Sequence, residues 1–277
     1  MSPHNSAFNG SGLDQIDPFD ARDLNLWRKA EYLGRYLFAS DFLRQYQPSI
    51  LADISCGMGY GSKELSGIAK TVIGVDSSQQ LIEMASRRSN SPDVKFLHKD
   101  LNCEDLTPEI EEGSVDAVVS FETLEHLIDP NEAVSQFSLI LRPGGFLICS
   151  VPNVLSESRD SAGLPRNKGH KQWFNYGSLC RMLESRGMHV MYRLGQSWSR
   201  TLHKREQQLS HAKRIVQRLS DEPTMHSPEM MRWLSYVAAY PTVEDVDGSY
   251  SIIIVAQKHI DNLTVLSSPP PIHHSAR

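Results

Sequence analysis

Glu122, Glu125 and His126, spaced E-x-x-E-H, are residue types that can move a proton or bind a metal. A short helix starting at Glu122 would carry Glu125 and His126 round to one mouth. Two carboxylates and an imidazole placed there can serve as a general base. They can equally hold a divalent cation, with Mg²⁺ expected for oxygen-rich ligation. His170, near the end of the polar stretch Pro152 to Gln172, is a further candidate base.

A second stretch is built for ligand binding rather than proton transfer. The apolar run Ile50 to Ile54, which contains Asp53, leads into Gly57, Gly59 and Gly61 at alternate positions, then Ser62-Lys63-Glu64-Leu65. A buried strand, a glycine turn and a helix make a nucleotide-binding geometry. The spacing G-x-G-x-G is not the dinucleotide pattern G-x-G-x-x-G, and no Lys-Ser/Thr pair follows to make a P-loop. Asp76 ends the next apolar run, 23 residues after Asp53. An acid there can accept hydrogen bonds from both hydroxyls of a ribose. Asp100 follows a third run, Val94 to His98. Taken singly, either acid is explained as a helix cap or turn residue.

With Asp53 ahead of its glycines, the stretch resembles motif I of the class I S-adenosylmethionine (AdoMet) methyltransferases, usually D/E-x-G-x-G-x-G. Ser55 departs from that pattern, standing at the family's first glycine. Leu141-Arg142-Pro143-Gly144-Gly145 before an apolar strand resembles another family signature, and Arg35 to Ala39 a segment that precedes the core in bacterial relatives. The resemblance runs from about Arg35 to Gln257. It implies AdoMet held by Asp53, Ser55, Gly57, Gly59, Asp76, Ser77, Asp100, Leu101 and Phe121, with Asp100 on the adenine amino group. E-x-x-E-H is similar to a string in two metal-dependent subgroups. These are the ubiquinone-pathway O-methyltransferases and the small-RNA terminal 2′-O-methyltransferases. The second adds a histidine from the loop after the fifth strand, where His170 lies. That likeness implies metal ligands Glu122, Glu125, His126 and His170, and a catalytic set of His126, His170 and Glu122. Other small-molecule and sugar methyltransferases carry the same string with no established metal, Glu122 and Glu125 shaping the AdoMet pocket.

The reaction expected is methyl transfer to a hydroxyl oxygen of a secondary metabolite or sugar. The N/D-P-P-Y/F string of amide-nitrogen and adenine-amino methyltransferases is missing after the fourth strand. N- or C-methylation, RNA ribose methylation and an idle AdoMet-binding partner subunit are the alternatives. A net charge of −5 argues against broad nucleic-acid affinity.

Seven strands must position these groups: Ile50–Ile54, Thr71–Asp76, Val94–His98, Val115–Phe121, Phe146–Val151, Met188–Leu194 and Ser251–Ala256. The fold expected is α/β, a Rossmann-like methyltransferase sheet with helices on both faces. Helices are expected over about Tyr60–Ala69, Gln79–Arg88, Asn131–Leu141 and Tyr176–Arg186. The chain divides into a loose N-terminus (1–20), a helical cap (21–48), the AdoMet-binding core (49–195), a helical insertion acting as a substrate lid (196–248), the last strand (249–258) and a disordered tail (259–277). Roughly 50 residues separate the last two strands, too many for a plain loop. Arg200, Lys204, Arg205, Lys213, Arg214 and Arg218 make part of that insertion basic, a solvated face or a lid for an anionic substrate. Cys56, Cys103, Cys149 and Cys180 form no C-x-x-C pair. Reduced cysteines, no signal pattern and no membrane span suit a cytoplasmic protein acting on a small molecule.

Overall fold

A computed structural model describes residues 16–260, apart from 21, 24, 158, 162, 164–166, 198–221 and 244–245. In chain order the elements are α1 (Leu26–Arg44), β1 (Ile50–Ile54), α2 (Tyr60–Leu65), β2 (Thr71–Asp76), α3 (Gln79–Arg88), β3 (Val94–His98) and β4 (Val115–Phe121). A 3₁₀ turn, Leu124–His126, separates β4 from α4 (Pro130–Ile140). Then come β5 (Leu141–Pro152), α5 (Tyr176–Glu184), β6 (Met188–Gln196), α6 (Pro228–Ala238) and β7 (Ser251–Lys258). One seven-stranded sheet results, in the order β3-β2-β1-β4-β5-β7-β6. β7 runs antiparallel to both its neighbours, while the other pairs are parallel.

The central strands are mostly apolar because both sheet faces are covered. Ala52, Ile54, Val118 and Leu147 face a layer that includes Val134, Phe137, Leu179 and Leu183 of α4 and α5. Leu51, Ala117, Val119 and Ile148 face Tyr36, Phe38, Phe42 and Leu65 of α1 and α2. Behind α1 a third cluster forms: Leu26, Trp27, Ala30, Leu33 and Leu37 pack on Met231, Leu234 and Ala238 of α6. Local capping starts each long helix. Ser78 caps α3 and Asp129 caps α4 with Pro130 behind it. Asn175 and Ser178 form a reciprocal capping box on α5, and Ser227 with Pro228 opens α6.

Several expected boundaries move. α2 stops at Leu65, because the Glu64 and Leu65 carbonyls accept the amides of Gly67 and Ile68 in a closing turn. Leu141 already pairs with Val115, and the register then jumps to Ala117 opposite Phe146. Residues 142–145 therefore bulge out of a strand rather than preceding it, with Gly144 at φ 74°. Residues 16–20 are not loose: Ile16 is buried, Arg88 pairs with Asp17 at 2.7 Å, and the buried Lys29 ammonium donates to the Asp20 carbonyl at 2.7 Å. The basic residues from Arg200 to Arg218 and the tail beyond 260 lie outside the described residues. Among the described residues no helix is long and apolar enough to cross a membrane.

Candidate active site

The site opens at the carboxyl ends of β1, β2, β3 and β4, where two cavities adjoin. One, of about 170 Å³, includes Ile16, Tyr32, Arg35, Tyr36, Gly57 and Phe121 in its wall. The other, of about 390 Å³, includes Ser77, Lys99, Asp100, Leu101 and Asn102. Ser55, Asp76, Leu81, Glu122 and His126 border both. A crevice outside the strand ends of an open α/β sheet, beside the β1 switch point, is where such folds bind ligands.

The turn after β1 shapes the crevice floor. Ser55, Gly57 and Gly59 all adopt positive φ, at 64°, 56° and 78°. Ser55 thus holds a left-handed conformation that costs an L residue about 1–2 kcal/mol, so the family glycine is replaced at a price in strain. A Cβ on Gly57 would meet nothing within 4 Å, leaving backbone open to the cavity. Asp76 is buried beside it. Its two oxygens accept the amides of Gly57 and Ser78, each at 2.9 Å. Burial raises its pKa, and the two amides work against that rise.

Two of the residues expected to hold AdoMet, and Glu125 and His170 of the expected metal set, do not border either cavity. Asp53 is wholly buried beneath the turn, accepting the Tyr36 hydroxyl at 2.9 Å and the Ser62 hydroxyl at 2.6 Å. Gly59 instead lets α2 approach Phe96 and Ala85, either of which a Cβ would strike at under 3.0 Å. Asp100 caps its own turn, accepting the Asn102 amide at 2.9 Å, and this bond holds its pKa low.

At the other end of the crevice the E-x-x-E-H string splits. Glu122, at φ 50°, accepts the Ser150 hydroxyl at 2.9 Å and lies 3.5 Å from the Arg35 guanidinium. Glu125, His126 and His170 come together instead, with one ligand atom from each within 4.8 Å of the others. Glu122 is not a member of that group, because Ser150 and Arg35 hold its carboxylate. Donation from the amides of Lys171 and Gln172 to the Glu125 carbonyl ties the 169–172 loop to the 3₁₀ turn. His126 Nδ1 lies 3.1 Å from the Gly169 carbonyl, and its ring stands 5.1 Å from that of His170, edge to face. The Glu125 side chain is 2% exposed, and among the described residues neither of its oxygens has a hydrogen-bond partner, although Oε1 lies 3.7 Å from His126 Nε2. Burial pushes its pKa well up, with the Glu122 charge adding to the effect. A bare carboxylate so placed costs several kcal/mol unless it carries a proton or meets a cation.

Residues that sequence reasoning missed hold this arrangement in place. Arg35 is buried on α1 and donates to Gln196 at 2.7 Å and to Ser251 at 3.2 Å. It therefore joins α1 to β6, β7 and Glu122. A charged residue on an apolar helix stripe, Arg35-Tyr36-Leu37-Phe38, was the available signal. Tyr32, Tyr60 and Ile16 gave none.

The Methyltransferase domain family matches residues 25–192. A protein of Mycolicibacterium smegmatis assigned as an S-adenosylmethionine-dependent methyltransferase is 30% identical over 74% of this chain and 79% of its own length. The ubiquinone biosynthesis O-methyltransferase of Cupriavidus pinatubonensis is 33% identical, but over 37% of this chain and 41% of that protein. Two solved structures share the fold. One comes from the complex between the Haloferax volcanii Trm112 methyltransferase activator and a protein proposed to be a methyltransferase, with TM-score 0.54 and 17% identity over 88% of this chain and 99% of that one. The other is an S-adenosylmethionine-dependent methyltransferase of Listeria monocytogenes, with TM-score 0.52 and 15% identity over 84% and 99%.

Proposed function

The chain belongs to the AdoMet-dependent methyltransferases, and from that premise we propose that it methylates a hydroxyl oxygen of a small-molecule acceptor, with His126 and His170 at the mouth as base. The observation that supports this reading is the pair of imidazoles 5.1 Å apart, one of them bordering both cavities. AdoMet supplies a methyl group already activated on sulfonium sulfur, so the protein's task is alignment and proton removal. Asp76 and the open backbone at Gly57 suit a ribose-bearing ligand. Asp100 and Leu101 border the cavity on the far side of Asp76, where an adenine would lie. An amine nucleophile must reach the methyl carbon neutral, a state it can gain by losing its proton to water before it binds. A hydroxyl needs one of the two imidazoles to take its proton. The name of the ubiquinone-pathway relative agrees with oxygen as the acceptor.

The test is incubation with methyl-labelled AdoMet and three probes: 3,4-dihydroxybenzoate, a hexose and a primary alkylamine. Label on an oxygen is expected; label on the amine alone would remove the reading. His126→Ala and His170→Ala should each slow transfer by about 10²–10⁴-fold. AdoMet affinity, read by calorimetry, should stay near wild type. Wild-type rates in both variants would refute the assignment of the mouth.

The Glu125 oxygens, which accept no hydrogen bond among the described residues, favour a second reading, in which Glu125, His126 and His170 hold a divalent cation. With Glu122 bound elsewhere, the set is two imidazoles and one carboxylate. That mixture suits Zn²⁺, Mn²⁺ or Fe²⁺ rather than the Mg²⁺ expected of an oxygen-rich site. Such an ion would polarise an acceptor hydroxyl and lower its pKa. EDTA should then abolish transfer, and Mn²⁺ or Zn²⁺ restore it better than Mg²⁺. Full activity in chelator would leave the base reading alone.

A further inference from the structure

Glu157 and His170 form a carboxylate–imidazole pair to which no role has been given above. Glu157 Oε1 lies 2.6 Å from His170 Nδ1, with both side chains about nine-tenths buried. On the other side of the ring, Nε2 lies 2.7 Å from the Asn167 side-chain nitrogen. Asn167 is not free to turn over, because its oxygen accepts the Gly169 amide at 3.0 Å. An amide nitrogen can only donate, so Nε2 must accept and Nδ1 must carry the proton that Glu157 receives. One neutral tautomer satisfies every partner.

We infer that Glu157 is a positioning residue that locks His170 as the Nδ1–H tautomer and so makes Nε2 the accepting nitrogen. Asn167 occupies the Nε2 lone pair until an acceptor hydroxyl takes its place. In the transfer step the acceptor oxygen bonds to the methyl carbon as the carbon–sulfur bond breaks, its electron pair staying on sulfur. The hydroxyl proton passes to Nε2, and the Glu157 carboxylate stabilises the imidazolium so formed. Without Glu157 the ring can turn or exchange its proton to Nε2, and the base is lost although His170 remains. This inference rests on the reading of His170 as base, whereas the locking of the tautomer does not.

The experiment uses the full chain labelled with ¹⁵N-histidine, observed by NMR at pH 8, with His170 identified by the resonance lost in His170→Gln. In the wild type the ring proton should sit on Nδ1. Glu157→Ala should move it to Nε2, while Glu157→Gln, whose side-chain oxygen can still accept, should keep it on Nδ1. An Nε2–H signal in the wild type overturns the inference, whether or not any variant folds. An unshifted signal in Glu157→Ala does the same. With 3,4-dihydroxybenzoate as probe, Glu157→Ala should lower kcat by about 10–100-fold and leave the KM for AdoMet unchanged. The same substitution should do nothing further in a His170→Gln background. A shifted tautomer with an unchanged rate would overturn the base reading, and an unshifted tautomer would overturn the positioning itself.

Discussion

Asp53, one residue before the end of β1, has no exposure and accepts two hydroxyl bonds, yet burial still pushes its carboxyl up to about 6. The Ser62 and Tyr36 hydroxyls recover only part of the hydration that a carboxylate loses. The folded chain therefore holds this proton more tightly than the unfolded chain does. The stability tied to it is full below the ordinary value of 3.8 and is lost as pH rises through about 6. Asp53→Asn cannot ionise, so relative to wild type it should gain on the order of 3 kcal/mol between pH 4 and pH 8. Urea unfolding at the two pH values measures this, and equal differences would mean that Asp53 does not titrate in that window. Asp76 makes a contrasting prediction. Asp76→Ala should remove most AdoMet affinity in calorimetry, and unchanged affinity would end its ribose role. The acids after the first three strands were legible because each lies at or next to the end of an apolar run. That Asp53 faces Tyr36 rather than the ligand was not, since Tyr36 comes from a helix whose face only tertiary packing selects. Glu157 was equally hidden: a glutamate in a polar loop shows no sign of the histidine it will meet.

Between elements, the junction of α1 with α6 shows where local preference and packing disagree. Gly34 sits inside α1, where an alanine would ordinarily gain about 0.5–1 kcal/mol. Here a Cβ would stand 2.5 Å from the Ala239 carbonyl oxygen and 3.4 Å from the Gln196 side chain, which itself donates to that carbonyl. A backbone oxygen cannot swing aside, so the two helices must separate. Gly34→Ala should therefore destabilise the fold by about 1–3 kcal/mol in chemical unfolding. Stabilisation, as helix propensity alone predicts, would show that the junction yields freely. The strands were readable for the opposite reason. Buried on both faces, β1, β2 and β4 are mostly apolar, and their expected limits coincide with the observed ones. Helix ends were less readable. α2 closes on the turn at Ser66 and Gly67, and α5 closes at Glu184 although helix-compatible residues follow.

Across the molecule, the seven-stranded body carries a third layer built from residues 16–23, α1 and the 223–238 segment. Lys29 fastens that layer from inside. Its ammonium is wholly buried, donates to the Asp20 and Asp23 carbonyls at 2.7 and 3.2 Å, and lies 3.1 Å from His226 Nδ1. Arg232 of α6 reaches the α2 carboxylate of Glu64 with two bonds of 2.9 and 2.6 Å. Ile16, Tyr32 and Tyr36 line the smaller cavity, so this layer forms part of the crevice wall. Lys29→Met would remove the ammonium that the Asp20 and Asp23 carbonyls and His226 share, a loss of about 1–3 kcal/mol. Hydrogen exchange should then quicken over 16–23 and 223–238 while β1 and β4 keep their protection. Uniform loss of protection would mean that the layer and the sheet open as one unit. The sequence announced the sheet, helices before it and helices ahead of its last strand, but not the junction of these helices, because the link joins Lys29 to His226 across nearly 200 positions.

The strand order also bears on how the chain reaches this state. β6 has no partner in the sheet except β7, and β5 needs β7 to cover its far side. Until residues 251–258 leave the ribosome, both Leu147-Ile148 and Met191-Tyr192 lie on unpaired edges that invite pairing with other chains. Final closure of the sheet therefore waits until residues 251–258 have emerged.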